Sequence, residues 1–226
     1  MTNKTSAYNL LWVAPRVMPR VQPIRDKTLE NILHIASQNR STDVRLWVDS
    51  KRLTPKQKKW VEARVIGPNL RPLDLRSIPE YVAEPLYQRP DLNGAWRSGY
   101  DSIIWKQVDA ARILAALQGD YQQSFYSDAD ITNLKVNSEE VQKRMRTFGM
   151  LLGCTEYHSF ENQLFAFAKE KRELFKKLYL ATLRSIKQEN KDNGFLEFRR
   201  FFYSEEARKN DNLFVAKYDG SQAGFK

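Results

Sequence analysis

Apolar and polar positions along this chain follow two periods, and the switch between them divides the first half into strand–helix units. Tyr8–Val13 is a short apolar run halted by Pro15, the mark of a buried strand. Thr28–Gln38 sets Leu29, Ile32, Leu33 and Ala36 three and four residues apart, which predicts an amphipathic helix. Val44–Val48 predicts a second strand, closed by Asp49-Ser50. Thr54-Pro55 reads as an N-cap followed by proline at the first helical position, with the helix running on towards Val65. A third apolar run, Leu73–Ile78, ends before Pro79. Residues 80–100 mix prolines, a glycine and aromatics without a period and predict an irregular connection. Asp101-Ser102 opens a helix in which Ile104, Val108, Ala111 and Ala115 share a face, with Gly119 placed to end it. The strand Gln123–Ser127 follows.

The second half is less regular. Ser138-Glu-Glu140 starts a short helix, and Phe148–Leu152 and Asn162–Ala168 are apolar enough for strands. Leu174, Leu178, Ala181 and Ile186 mark a long basic helix reaching towards Asn190. From Asn193 the chain is rich in phenylalanine without a clean period, and no internal repeat or Gly/Ser linker divides it. The pattern predicts one α/β domain: a mostly parallel central sheet flanked by helices, with a helical and irregular C-terminal part. In such sheets ligands bind beyond the carboxyl ends of the strands.

Composition narrows the chemistry. The chain has 226 residues, 42% hydrophobic and 12% aromatic, enough for a packed core. No stretch approaches the roughly 20 apolar residues of a membrane span, and the patch at 8–13 is too short for a signal peptide. The expectation is a cytoplasmic protein as synthesised, any delivery to a host cell using a route without a signal peptide. Cys154 is the only cysteine, so no intramolecular disulfide forms. With His34 and His158 it makes no familiar zinc spacing, so a metal would be bound by oxygen. The net charge of +10 gathers at Lys51-Arg52, Lys56/Lys58/Lys59, Lys169–Lys177 and Arg199-Arg200. Such a surface attracts nucleic acid, anionic membrane or another polyanion. Interleaved Glu170 and Glu173 fit a solvated helix face equally well. Neither zinc-finger spacing nor an RNP-like run is present, so no nucleic acid is expected as partner.

The segment richest in chemistry is Tyr126-Ser127-Asp128-Ala129-Asp130, where an apolar strand ends in two carboxylates one residue apart. On a strand, positions i and i+2 project the same way. Two such oxygens suit a hard divalent cation that keeps its other positions for water and phosphate. Aspartate is also a common turn residue after strands. On the preceding helix Asp109 and Arg112 are three apart and share a face amid apolar neighbours, so the pair is expected near the buried side.

This order, Asp-x-x-Arg on a helix and then Tyr-x-Asp-x-Asp closing a strand, resembles glycosyltransferases of the sugar-binding-region-containing-DXD family. Large clostridial glucosylating toxins, bacterial effector glycosyltransferases and yeast Golgi mannosyltransferases belong to that family. Leu10-Leu-Trp-Val13 and Leu46-Trp-Val-Asp-Ser50 are similar to its first two strands, and Phe160-Glu-Asn-Gln-Leu164 to its acidic-Asn-x-hydrophobic element. The resemblance implies a GT-A fold, a nucleotide-sugar donor such as a UDP-sugar, a Mn²⁺ or Mg²⁺ cofactor and a protein or glycan acceptor. It implies direct metal contact from Asp130, with Asp128 on ribose and sugar and reaching the metal through water. Asp109 and Arg112 would bind sugar hydroxyls, Trp12 and Tyr126 the nucleotide, and Glu161 and Asn162 the acceptor side. Residues 8–135 would form the nucleotide-sugar core and 136–226 the acceptor side. The chain departs from the family at Gln123-Ser124, where glycines are usual, and it has no tryptophan after Trp105. The expected activity is transfer of a hexose or N-acetylhexosamine, usually with retention. The alternatives are a catalytically impaired, basic interaction module on the same scaffold and, on charge alone, a nucleic-acid-binding protein.

Overall fold

The computed structural model describes residues 5–13, 21–88, 103–154, 160–187, 200 and 215–217. Its strands are β1 (Ser6–Trp12), β2 (Asp43–Val48), β3 (Leu70–Asp74), β4 (Gln123–Ser127), β5 (Met150–Cys154), β6 (Phe160–Ala168) and β7 (Val215–Lys217). The helices are α1 (Asp26–Gln38), α2 (Pro55–Arg64), the short α3 (Pro79–Ala83) and α4 (Pro85–Gln88), α5 (Ile103–Ala116), α6 (Glu139–Phe148) and α7 (Arg172–Lys187). The strands form one sheet in the order β3-β2-β1-β4-β6-β5-β7. β1, β2, β3 and β4 run parallel, β6 is antiparallel to β4 and β5, and β7 is parallel to β5.

Period-two alternation sorts the strand side chains onto two helical layers. Tyr8, Leu10, Phe125, Leu164 and Ala166 face a core with Ile32 and Ile35 of α1, Val61 of α2 and Met145 of α6. Tyr126, Phe165 and Phe167 face the opposite core with Leu114 of α5, Phe175 and Leu178 of α7 and Tyr87. Phe165 stacks on Tyr126 and on Phe175, at 5.1 and 5.5 Å between centroids, a geometry worth about 1 kcal/mol per pair beyond burial.

Local chemistry sets the element ends. Thr54 and Gln57 form a reciprocal capping box at α2, with Pro55 at its first position. Ser138 caps α6, and Gly149 closes it at φ +68°, a left-handed conformation that favours glycine. Phe148 is therefore the last residue of a helix, and the strand expected at Phe148–Leu152 begins at Met150. The run expected at Leu73–Ile78 also shifts. β3 is Leu70–Asp74, and a tight turn, Leu75–Ser77, follows because the Asp74 carboxylate accepts the amides of Arg76 and Ser50. Pro72 is tolerated in β3 because that strand is at the sheet edge. Asp101, Ser102, His158 and the tail phenylalanines lie outside the described residues, as do the side chains of Cys154 and Glu161. β7 was not foreseen.

Candidate functional site

The carboxyl ends of β1, β2, β3 and β4 share one edge, and the acidic triplet lies there at the end of β4. β4 stops at Ser127. Asp128 keeps one ladder bond, donating its amide to the Gln163 carbonyl at 2.8 Å, and the Ile131 amide then closes a turn on the Asp128 carbonyl at 3.1 Å. The expectation that both acids project alike from a strand is therefore replaced by a turn that gives them different surroundings.

Asp128 is tethered. Its Oδ2 accepts from Arg112 Nη2 at 2.9 Å and its Oδ1 from the Tyr126 hydroxyl at 2.8 Å, leaving the side chain 24% exposed. Burial pushes this carboxyl above its ordinary value. Arg112 and Tyr126 pull against that shift, while Asp130 and Asp109 add to it. Asp130 is exposed, and among the described residues its carboxylate has no hydrogen bond or ion pair.

Arg112 is the hub. Its Nη1 donates to Asp109 at 3.1 Å and to Asn162 Oδ1 at 2.6 Å, while the Asn162 amide donates to the same Asp109 oxygen at 2.9 Å. Burial works against this charge, but Asp128, Tyr126 and Asp109 outweigh it and hold the guanidinium firmly protonated. Arg112 and Asp109 are both almost completely buried, as their shared helix face predicted, and among the described residues Arg112 Nε has no hydrogen-bond partner. An isolated buried charge is costly, whereas this one is met by two carboxylates and an amide in fixed positions.

Two expected roles are corrected. The Tyr126 ring is 1% exposed and packed under Phe165, so it faces the core and steadies Asp128 instead of meeting a nucleotide. Asn162 is buried inside the Asp109–Arg112 cluster, so its side chain does not face an acceptor. Sequence reasoning placed Asn162 on a regular strand, but β6 leaves the β5 ladder there. Leu152 pairs with Phe165 while Gly153 pairs with Glu161, so Asn162, Gln163 and Leu164 bulge away from β5. On its other side β6 keeps β4, pairing Leu164 with Ser127. Such bulges re-aim side chains, and Gly153 was the signal in the sequence: a Cβ there would come within 2.9 Å of Leu164.

Trp12 ends β1 beside Val48 of β2, half-buried, on the layer opposite α5. Its indole Nε1 is buried without a hydrogen-bond partner among the described residues. Asp49, at the end of β2, is wholly buried and belongs to a separate cluster. Arg76 binds it through two nitrogens at 2.7 Å, Tyr81 donates at 3.0 Å, and Arg52 Nε lies at 3.4 Å. Arg52 also donates to Gln107, whose amide holds the Leu86 carbonyl at 2.6 Å. This second cluster anchors α5 two residues before Asp109. Gln123 and Ser124 bind Gln142 of α6 and the Ala116 carbonyl of α5, fixing β4 between two helices.

The donors at the triplet are hard oxygens, and no group of three or more metal-ligating side chains occurs among the described residues. They fit a Mn²⁺ or Mg²⁺ ion held by one or two carboxylates that leaves its other positions to phosphate and water. Asp130 would hold it, since its oxygens are uncommitted, while those of Asp128 already accept bonds.

No protein-family model and no curated protein sequence matches this chain. Solved structures do match its fold. The PaToxG glycosyltransferase aligns with TM-score 0.57 and 16% identity over 88% of this chain and 67% of its own. Rv0371c of Mycobacterium tuberculosis H37Rv aligns with TM-score 0.51 and 10% identity, over 98% of this chain and 92% of its own. A candidate nucleotide-diphospho-sugar transferase of Desulfovibrio desulfuricans G20 aligns with TM-score 0.51 and 10% identity, over 99% and 83%. The fold is that of the GT-A nucleotide-sugar transferases, a mostly parallel sheet flanked by helices.

Proposed function

We propose that this protein is a metal-dependent glycosyltransferase that moves a hexose or N-acetylhexosamine from a nucleotide sugar, such as a UDP-sugar, to a protein or glycan acceptor. The observation that carries this reading is the buried Asp109–Arg112–Asn162–Asp128 cluster beside the exposed Asp130, at the carboxyl edge of the sheet. Mixed donors and acceptors in fixed positions suit sugar hydroxyls, which both give and take hydrogen bonds. Arg112 orients Asp128 and favours its charged form against the pull of burial, and Asp128 in turn orients ribose and sugar. Asp130 holds Mn²⁺ or Mg²⁺. When bound, that ion neutralises charge on the departing diphosphate. No carboxylate in the cluster is placed as a free nucleophile, which fits transfer with retention by attack from the leaving-group face. Trp12 offers an aromatic surface for the base.

The test is nucleotide-sugar hydrolysis and thermal stabilisation across a panel of UDP-sugars with Mn²⁺ or with EDTA. Stabilisation that needs the metal is expected, because a ligand bound only to the native state raises its stability. Asp128→Asn and Asp130→Asn each abolish turnover with the protein still folded. Unchanged turnover in both variants refutes the reading.

A further inference from the structure

One face of helix α7 takes no part in the cluster at the sheet edge. Phe175, Leu178, Thr182 and Ile186 are buried against the fold. The opposite arc, at 100° per residue, carries Lys176, Lys177, Leu180, Arg184 and Lys187. Leu180 is 49% exposed and sits one helical turn from Lys176, Lys177 and Arg184. Glu173, in the first turn, is the one acid on this arc. Lys187 pairs with Glu84 at 2.9 Å, whereas Lys176, Lys177 and Arg184 have no ion pair among the described residues.

The other described helices differ. On α2 Lys56 and Lys59 share a face with Lys58 and Arg64 well to either side of it and no exposed apolar residue among them, and α6 offsets Lys143, Arg144 and Arg146 with Glu139 and Glu140. Among the described helices only α7 combines a single-sided cationic arc with an exposed leucine at its centre. A helix of this pattern lies in the interface of an anionic bilayer, its apolar residue at the headgroup–acyl boundary and its cations on the headgroups. Nucleic acid would use the cations but give Leu180 nothing. The placement is also productive. Arg172 binds the carbonyls of Leu117 and Gly119 beyond the end of α5, and Lys187 reaches Glu84 beside α3 and α4. α7 therefore runs along the flank of the sheet, roughly 24 Å from end to end, towards the edge that holds Asp128.

We propose that the outward face of α7 docks the protein on an anionic lipid surface, through Lys176, Lys177 and Arg184 on the headgroups and Leu180 between them. The donor-site edge then sits beside the membrane, where an acceptor at the lipid surface is within reach. The docking needs no donor-site activity, and its test is a binding measurement independent of turnover.

Co-sedimentation with phosphatidylcholine vesicles, with and without phosphatidylserine, reads it directly. Binding is expected only with phosphatidylserine. The triple variant Lys176→Gln/Lys177→Gln/Arg184→Gln weakens it about a hundredfold, since each basic residue near such a surface contributes roughly fivefold. Leu180→Ser weakens it roughly tenfold by removing the apolar contact. The same three changes at Lys56, Lys58 and Lys59 leave it within about twofold, as no exposed apolar residue sits among those lysines. All these side chains are exposed, and unchanged thermal unfolding confirms that the variants fold. Absence of phosphatidylserine-dependent binding overturns the proposal. So does equal loss from the α2 variant, or indifference to Leu180→Ser alongside equally strong, salt-sensitive binding to duplex DNA.

Discussion

Gly153→Ala tests whether the β6 bulge builds the cluster. An added Cβ would lie 2.9 Å from both the Cβ and the backbone oxygen of Leu164, nearer than real Cβ contacts allow. The oxygen belongs to a paired strand and cannot rotate away, so β5 or β6 must shift. Overpacking of this kind costs about 2 kcal/mol, which in a domain of this size lowers Tm by roughly 4–8 °C. The shift reaches the site because Leu164 is joined to Gln163, whose carbonyl holds the Asp128 amide, and Asn162 comes next in the chain. Displacing these groups by even a fraction of an ångström loosens both carboxylates on Arg112, and misplacement of about 1 Å can cost a hundredfold in rate. The assay pairs urea denaturation with UDP-sugar binding in Mn²⁺. Gly67→Ala is the control, since its Cβ would meet Leu70 at an ordinary 3.4 Å, and it changes stability by less than about 0.5 kcal/mol. If Gly153→Ala is as stable as the parent and binds the donor equally well, the strand pair relaxes freely and the bulge does not position the cluster.

Two further outcomes follow from the buried clusters. Asn162→Ala leaves Asp109 and Arg112 each one partner short, which costs about 1–3 kcal/mol. It lowers turnover roughly 10- to 100-fold, read as kcat and KM separately, and loss of stability with unchanged kinetics would confine Asn162 to the fold. Asp49→Asn takes the ionic partner from the buried Arg52 and the partly buried Arg76 and costs about 3–5 kcal/mol in urea unfolding at neutral pH. Burial alone would raise the Asp49 carboxyl, but Arg76, Tyr81 and the Lys51 amide hold it below its ordinary value. Its stabilisation is therefore present above the unfolded value of about 3.9 and is lost as pH falls through the lower folded one. The urea midpoint of the parent falls across that window. An equal fall in Asp49→Asn would show that other carboxylates govern acid lability.

The part of the fold that was legible in the sequence rests on local repetition. β1, β2 and β4 are short apolar runs because they contribute to the cores on both sides of the sheet, α1 and α5 show the 3.6-residue period of helices packed on one core, and α2 is marked by its Thr54-Pro55 start. The capping box at Thr54 is also local, since both partners lie within four residues. Where the reading slipped, the deciding contact was distant or the signal was a single glycine. Phe148 looks like the start of a strand until Gly149 is seen as a left-handed cap. Tyr126 looks like a nucleotide contact until Phe165, 39 positions away, is found stacked on it. Asn162 looks like the acceptor-side start of a strand until the register shift opposite Gly153 is seen to set it against Asp109.

The acidic triplet shows why local pattern can find a site and still miss its logic. Period-two alternation makes Asp128 and Asp130 equivalent, two carboxylates side by side for one cation. The turn closed by Ile131 breaks that equivalence. Asp128 still belongs to the ladder through its amide, so its side chain falls within reach of Arg112 and Tyr126 on the buried layer. Asp130, beyond the ladder, stays in solvent with its oxygens uncommitted. A hard cation gains most from a carboxylate that gives up no other bonds, and a sugar is best oriented by one that cannot move. The division of work proposed for the two acids thus rests on where the ladder ends, one residue after Ser127, and that end is set by β6.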